Sequence, residues 1–250
     1  MPLRPQRLFL TSYQKSGTHQ IMPALGISKD IVDRSWIDFT KIPKRYGTQR
    51  RRNEDGIKET CQALIEFKER AFGHLPYVPE YIDALQSQPT KILFNVRDPR
   101  DIVVANLYSI NKIYHRTDPP GGKGNGHLNL MDYIENKLLI EKDDPIADLI
   151  QVESCRWKEW LGWLNHDCVF KIKYEDLRTD GVKTLEKVAS FVSPYSLNAE
   201  ETFGRLSPRH SNPTFRAGRI GDWKEEFQPH HKKLAEELLG GIIQKLGYEI

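Results

Sequence analysis

The chain has 250 residues, 38% of them hydrophobic and 28% charged, and its 37 Lys and Arg against 34 Asp and Glu leave a formal net charge of +3. That length suits a single α/β domain, 1–250, and no apolar run reaches the roughly 20 residues a membrane-spanning helix requires. The near balance of charge excludes a general polyanion binder, so affinity for a phosphorylated ligand has to come from local arrangement.

The first predicted elements lie between Leu8 and Gln20, LFLTSYQKSGTHQ. Leu8, Phe9 and Leu10 predict a buried strand that feeds a tight loop and a helix start. Such a turn aims backbone N–H groups and the positive end of a helix at one point, and Gly17 lets the main chain approach whatever sits there. Lys15 adds a mobile charge, and the Ser16 and Thr18 hydroxyls can donate hydrogen bonds. A phosphate-like anion is the expected occupant. Lys15 precedes Gly17, whereas the nucleotide triphosphate loop G-x-x-x-x-G-K-[ST] places Lys after glycine, so the order argues against an ATPase or GTPase.

A short helix is expected to follow from Ile21 to Leu25, bent by Pro23. Residues 26–56 read as irregular and hydrophilic, with a basic cluster at Lys44, Arg45, Arg50, Arg51 and Arg52. No aromatic residue interleaves the three consecutive arginines, which argues against nucleic acid. Helical spacing of Ile57, Cys61, Leu64 and Ile65 predicts a helix over 57–69, followed by an extended piece ending at His74 and a helix over 79–86. Lys91 to Val96, KILFNV, is the clearest interior strand and ends in RDPRD, and Ile102 to Ile113 continues as a helix. Residues 115–127, HRTDPPGGKGNGH, are broken by Pro and Gly into a loop. Helices are expected at 130–142 and 148–164, the second with Trp157 and Trp160 in the core. Cys168 to Tyr174 forms another strand, a helix carries Leu185, Val188 and Val192, and a last helix begins at Pro229. Strands alternating with helices predict a mainly parallel sheet flanked by helices, a three-layer arrangement whose ligands bind at the carboxyl ends of the strands. Lys15, Arg97 and Tyr174 all fall there. Cys61, Cys155 and Cys168 lack metal-ligand spacing and are expected as buried thiols; with an apolar start too short for a secretory signal, they suit a reducing cytoplasm.

Four segments occur in the order of one family: KSGT after the first strand, GHLP around His74, RDPRD after an apolar strand, and YEDL with FRAGRIGDW. From Leu8 to about Trp223 the chain resembles the sulfotransferases that use 3′-phosphoadenosine 5′-phosphosulfate (PAPS), particularly small bacterial ones. The resemblance implies a P-loop-type α/β fold, PAPS as cosubstrate with PAP as product, and no metal. It implies that Lys15, Ser16, Gly17, Thr18 and His19 form the phosphosulfate loop. Arg97, Arg216 and the Gly218 backbone would bind the 3′-phosphate, Tyr174 would flank the nucleoside, and His74 would be the general base. An imidazole suits that task because its pKa lies near the operating pH. Sulfuryl transfer needs chiefly positioning and charge stabilisation, so clustered donors suffice.

The expected activity is transfer of a sulfuryl group to a hydroxyl or amine of a small-molecule acceptor; the alternative is a non-catalytic PAP-binding protein on the same fold. His19, His115 and His127 are rival proton acceptors. The chain departs from the family pattern at Phe72, where a lysine is usual, at Ala105 beside Asn106 for a serine, at Gln20 for an adenine-stacking tryptophan, and at Ala217 for a lysine. Losing one hydrogen bond to a charged phosphate costs about 1.5–3 kcal/mol, which weakens binding without abolishing it. Specificity is expected from 26–56 and 115–127, with Tyr13, Trp36, Phe72, Tyr77 and Tyr108 as available acceptor contacts. No dimer-forming segment is recognisable after Trp223, and the oligomeric state is left open.

Overall fold

The computed structural model describes residues 7–27, 36–37, 54–114, 144–193, 197–206 and 218–250. The expected loop at 115–127, the expected helix at 130–142, the basic cluster at 44–52, Arg216, Ala217 and most of 26–56 lie outside them. The chain divides into two compact units: Met1–Phe39, Tyr46–Arg97 and Gly162–Arg209 form the first, and Thr40–Arg45, Asp98–Leu161 and His210–Ile250 the second.

The first unit is built on a parallel sheet. Its strands are β1 (Arg7–Ser12), β2 (Trp36–Ile37), β3 (Arg70–Gly73), β4 (Thr90–Val96) and β5 (Val169–Lys173), in the order β2-β3-β1-β4-β5, and every neighbouring pair is parallel. Every residue of β1 is buried, as a strand covered on both faces requires. One face packs Leu8, Leu10, Phe72, Leu93 and Ile172 against α1 (Thr18–Ala24), α6 (Tyr174–Thr179) and α7 (Gly181–Val192), through Ile21, Leu177, Leu185 and Val188. On the opposite face Phe9 meets Phe67 at a ring separation of 6.0 Å, beyond the end of α2 (Glu54–Glu66).

Arg7 is 1% exposed, an uncommon place for a guanidinium. It donates to the carbonyl oxygens of Leu64, Ile65 and Phe67, to Leu85 O in α3 (Pro79–Gln86), and to Thr90 Oγ1. The last carbonyls of a helix have no intrahelical donor, and one planar cation here satisfies those of two helices.

The second unit is helical: α4 (Pro99–Tyr114), α5 (Pro145–Lys158), α9 (Trp223–Glu226) and α10 (Pro229–Leu246), with α8 (Ala199–Gly204) belonging to the first unit. Glu153 on α5 is fully buried, accepting from Asn106 Nδ2 of α4 at 3.0 Å and pairing with Arg156 at 2.8 Å. Asp98 caps α4 through Arg100 N at 2.9 Å and holds the Arg100 guanidinium at 2.7 Å. Arg100 stacks 3.9 Å over Trp223, and Asp101 accepts from the backbone N–H groups of Gly221 at 2.9 Å and Trp223 at 3.3 Å. RDPRD and GDW, 120 residues apart, are therefore one hydrogen-bonded assembly.

Several expectations change. The helix expected over 148–164 is α5 followed by a 3-10 turn at Leu161–Asn165. The period breaks because the turn carries Trp163, fully buried, to Leu75 O at 2.9 Å, and because Gly162 lies against the Tyr77 ring, where a Cβ would come within 2.0 Å of Cδ1. α2 starts at Glu54, inside the stretch read as irregular, and β2 lies in that stretch too. Cys155 is exposed and Cys61 and Cys168 are only partly covered, so the three thiols are not core residues; Cys155 falls on the outward side of α5, which its helical spacing did not distinguish.

Candidate active site

Four of the five strands hand the chain to a candidate residue within a few positions of their carboxyl ends. β1 leads to Lys15–Thr18, β3 to His74, β4 to Arg97 and β5 to Tyr174. Parallel strands make this inevitable, because all their carboxyl ends lie on the same edge.

The loop after β1 is held in an unusual conformation. Lys15 has φ 64 and Gly17 φ 79, both left-handed. For lysine that region costs about 1–2 kcal/mol, so the surroundings must impose it. At Gly17 a side chain is excluded on two grounds: the φ value, and the Tyr174 ring, whose Cδ2 would lie 2.5 Å from an added Cβ. Tyr174 is thus packed directly against the loop, 3% exposed, and is the first residue of α6 rather than a strand end. The Arg97 guanidinium lies 4.8 Å from the Tyr174 ring centroid, and its Nη1 donates to Lys15 O at 3.5 Å.

Charge and burial make the loop receptive to an anion. Lys15 is half-buried, and desolvation pushes its ammonium down to about 8 from the usual 10.5. Ser16 is fully buried, and its Oγ has no hydrogen-bond partner among the described residues. A buried hydroxyl without a partner is unfavourable by itself, and a phosphate or sulfate oxygen would satisfy it. Lys15 and Ser16 thus fit the phosphosulfate group that the resemblance implies.

His74 is tied to the same loop. Its Nδ1 lies 2.5 Å from Ser12 O, and Ser12 Oγ lies 2.5 Å from Thr18 Oγ1. A carbonyl only accepts, so Nδ1 carries the proton and the lone pair of the neutral ring is on Nε2. The next residue is pinned as well: Leu75 O accepts from Trp163 Nε1 and, at 3.3 Å, from Thr11 Oγ1. Phe72 meets the imidazole edge to face at 5.0 Å while buried in the core, so no cation occupies the position where lysine is usual.

The structure thus brings together Lys15, Ser16, Gly17, Thr18, His74, Arg97 and Tyr174. His19 is exposed on α1. Gly218, φ 61, is in the second unit. Asn106, beside Ala105, commits Nδ2 to Glu153. Tyr13 and Phe72 are core residues rather than acceptor contacts, and Tyr77 Oη lies 2.9 Å from His166 Nε2. Sequence reasoning missed Ser12, Asn95 and Trp163. Asn95 had a visible signal, a polar amide inside an apolar strand.

A separate cluster in the second unit joins Asp144, the N-cap of α5, to His230 and His231, with potential ligand atoms within 4.8 Å of one another. The Asp144 carboxylate accepts from the two imidazoles at 3.0 and 2.8 Å. His231 Nδ1 accepts the Gln228 N–H at 3.1 Å, which places its proton on Nε2, the atom a metal would need. Hydrogen bonding accounts for this cluster.

A sequence model of the sulfotransferase domain matches residues 5–247. The chain belongs to the sulfotransferase family. Sulfuryl transfer is the family's class of chemistry. The chain is 24% identical over 259 residues to human sulfotransferase 2B1, across 90% of this chain and 62% of the relative, so it spans less than two thirds of that protein. It is 24% identical over 292 residues to the flavonol 3-sulfotransferase of Flaveria bidentis, across 96% of this chain and 85% of that one. Among solved structures, mouse sulfotransferase SULT7A1 complexed with PAP is similar with a TM-score of 0.54 and 20% identity, over 96% of this chain and 85% of that one. Retinol dehydratase in complex with androsterone and inactive cofactor PAP gives 0.55 at 17% identity, over 100% and 83%. At these identities the structures speak for the family's fold. Among the described residues no helix is long and apolar enough to cross a membrane.

Proposed function

We propose that this sulfotransferase transfers the sulfuryl group of PAPS to a hydroxyl or amine of a small-molecule acceptor, with His74 as general base. The observation that carries the reading is the double role of Ser12, whose carbonyl orients His74 while its hydroxyl meets Thr18 of the anion loop. Base and loop thereby keep a common reference, as a reaction between two bound partners needs. PAP in two structures of similar fold supports the choice of nucleotide.

Bound PAPS supplies a sulfuryl group on a phosphate leaving group. Ser16 Oγ, Thr18 Oγ1 and the loop backbone donate to the phosphosulfate, and Lys15 neutralises charge at the leaving oxygen. Arg97 takes the 3′-phosphate, and Tyr174 flanks the nucleoside. His74 Nε2 accepts the proton of the attacking hydroxyl or amine, while the Ser12 carbonyl stabilises the imidazolium that forms. None of these tasks calls for a metal ion. The protein works in a reducing cytoplasm, which its free cysteines suit.

The test is incubation with PAPS and a panel of phenols, alcohols and amines, following PAP release. Turnover suppressed by both His74→Ala and Lys15→Ala is the expected result; turnover unchanged by either removes its role assignment. Tight PAP binding without transfer to any acceptor would favour a non-catalytic nucleotide-binding protein, a reading to which the buried Phe72 lends itself.

A further inference from the structure

Asn95 stands next to the end of β4, in register with Ser12 of β1, and is fully buried. Its strand neighbours Ile92, Leu93, Phe94 and Val96 are apolar and fully buried too. An amide in such a row is costly unless both of its polar atoms are paired, and Oδ1 has no hydrogen-bond partner among the described residues. Stability alone would favour an apolar residue here.

Asn95 grips the anion loop at both ends. Its backbone oxygen accepts from Tyr13 N at 3.1 Å, and its Nδ2 donates to Ser16 O at 2.6 Å. A second, longer bond of 3.4 Å reaches Ser12 Oγ, the hydroxyl that meets Thr18. A trans peptide points its C=O and N–H in opposite directions. Drawing Ser16 O inward to the amide therefore turns the Gly17 N–H the opposite way, away from Asn95.

We propose that Asn95 is a positioning residue for sulfuryl transfer: its side-chain amide sets the Ser16–Gly17 peptide so that the loop is preorganised for the phosphosulfate before the nucleotide arrives. Preorganised donors raise affinity because ordering is not required on binding. The inference rests on the PAPS reading above only for the identity of the anion.

The experiment compares wild type, Asn95→Ala, Asn95→Ser and the control Ile92→Ala, which lowers stability from the same strand without touching the loop. Without ligand, amide hydrogen exchange at Ser16 to Thr18 is expected to accelerate roughly tenfold in the Asn95 variants and to stay at the wild-type rate in Ile92→Ala. By calorimetry the PAP Kd is expected to rise roughly tenfold in the same two variants, with the acceptor KM held within about twofold. Unchanged exchange in the folded Asn95→Ser protein, or equal acceleration in Ile92→Ala, would overturn the proposal. If wild type binds no PAP, the nucleotide assignment falls and the exchange measurement still decides the role of Asn95.

Discussion

His74 Nδ1 lies 2.5 Å from the carbonyl oxygen of Ser12, the last residue of β1. The imidazole is thereby oriented by the strand that also launches the anion loop. His74→Ala should lower kcat by about 100- to 10,000-fold, the usual worth of a positioned base, while the PAP Kd stays within about twofold. Steady-state kinetics with calorimetry on the same preparations checks this. A parallel loss of PAP affinity would make His74 a structural residue instead.

Lys15 gives the site a pH dependence whose sign follows from its burial. In the free protein its ammonium deprotonates at about 8, well below the usual 10.5. Below pH 8 the charge is present; above it, nucleotide binding has to take up a proton. PAP affinity should therefore weaken as pH rises past 8, approaching tenfold per pH unit for one linked proton. Calorimetry in buffers of different ionisation enthalpy at pH 9 should show uptake of nearly one proton, and Lys15→Met should abolish both effects.

Gly17→Ala meets two penalties at once, φ 79 and the Tyr174 ring 2.5 Å from the new Cβ. A loss of about 2 kcal/mol or more in stability is expected, together with weaker PAP binding. Adding Tyr174→Leu should restore part of the stability, because it removes the clash, and should leave the PAP affinity low, because it removes the ring. Thermal unfolding and calorimetry of the single and double variants read the two effects separately.

Arg7→Leu should be among the most disruptive substitutions away from the site. It removes the donor to the carbonyls of Leu64, Phe67 and Leu85, and buried acceptors left unpaired cost about 1–3 kcal/mol each, while Ile65 O keeps its bond from Gln88 Nε2. Denaturant unfolding should show a loss of at least about 3 kcal/mol, with kcat unchanged in the remaining folded protein.

The apolar runs at 8–10 and 91–96 were legible as strands because a parallel strand buried on both faces carries a continuous hydrophobic signal, and VFKIK at 169–173 was legible by its alternation, as suits the half-buried edge strand β5. KSGT, His74, Arg97 and Tyr174 were legible because a short loop at the carboxyl end of a strand keeps its residues in sequence order beside it. Elements that depend on distant partners were not. β2 is two residues long and exists through its pairing with Phe72 and Gly73. The break after α5 follows from the Tyr77 ring and the Leu75 carbonyl, some 85 residues earlier.

By itself, the sequence determined that a parallel α/β sheet presents a cationic, hydroxyl-bearing loop, a histidine, an arginine and a tyrosine at one edge, since periodicity and order along the chain are local properties. Only the tertiary structure decided that Ser12 links the base to the loop, that Asn95 grips Ser16, that Tyr174 closes over Gly17, and that Asp101 captures the backbone of the GDW segment. These are hydrogen bonds and contacts between residues six to well over a hundred positions apart. Their partners are set by how the strands align and how the helices pack, and no local pattern encodes that.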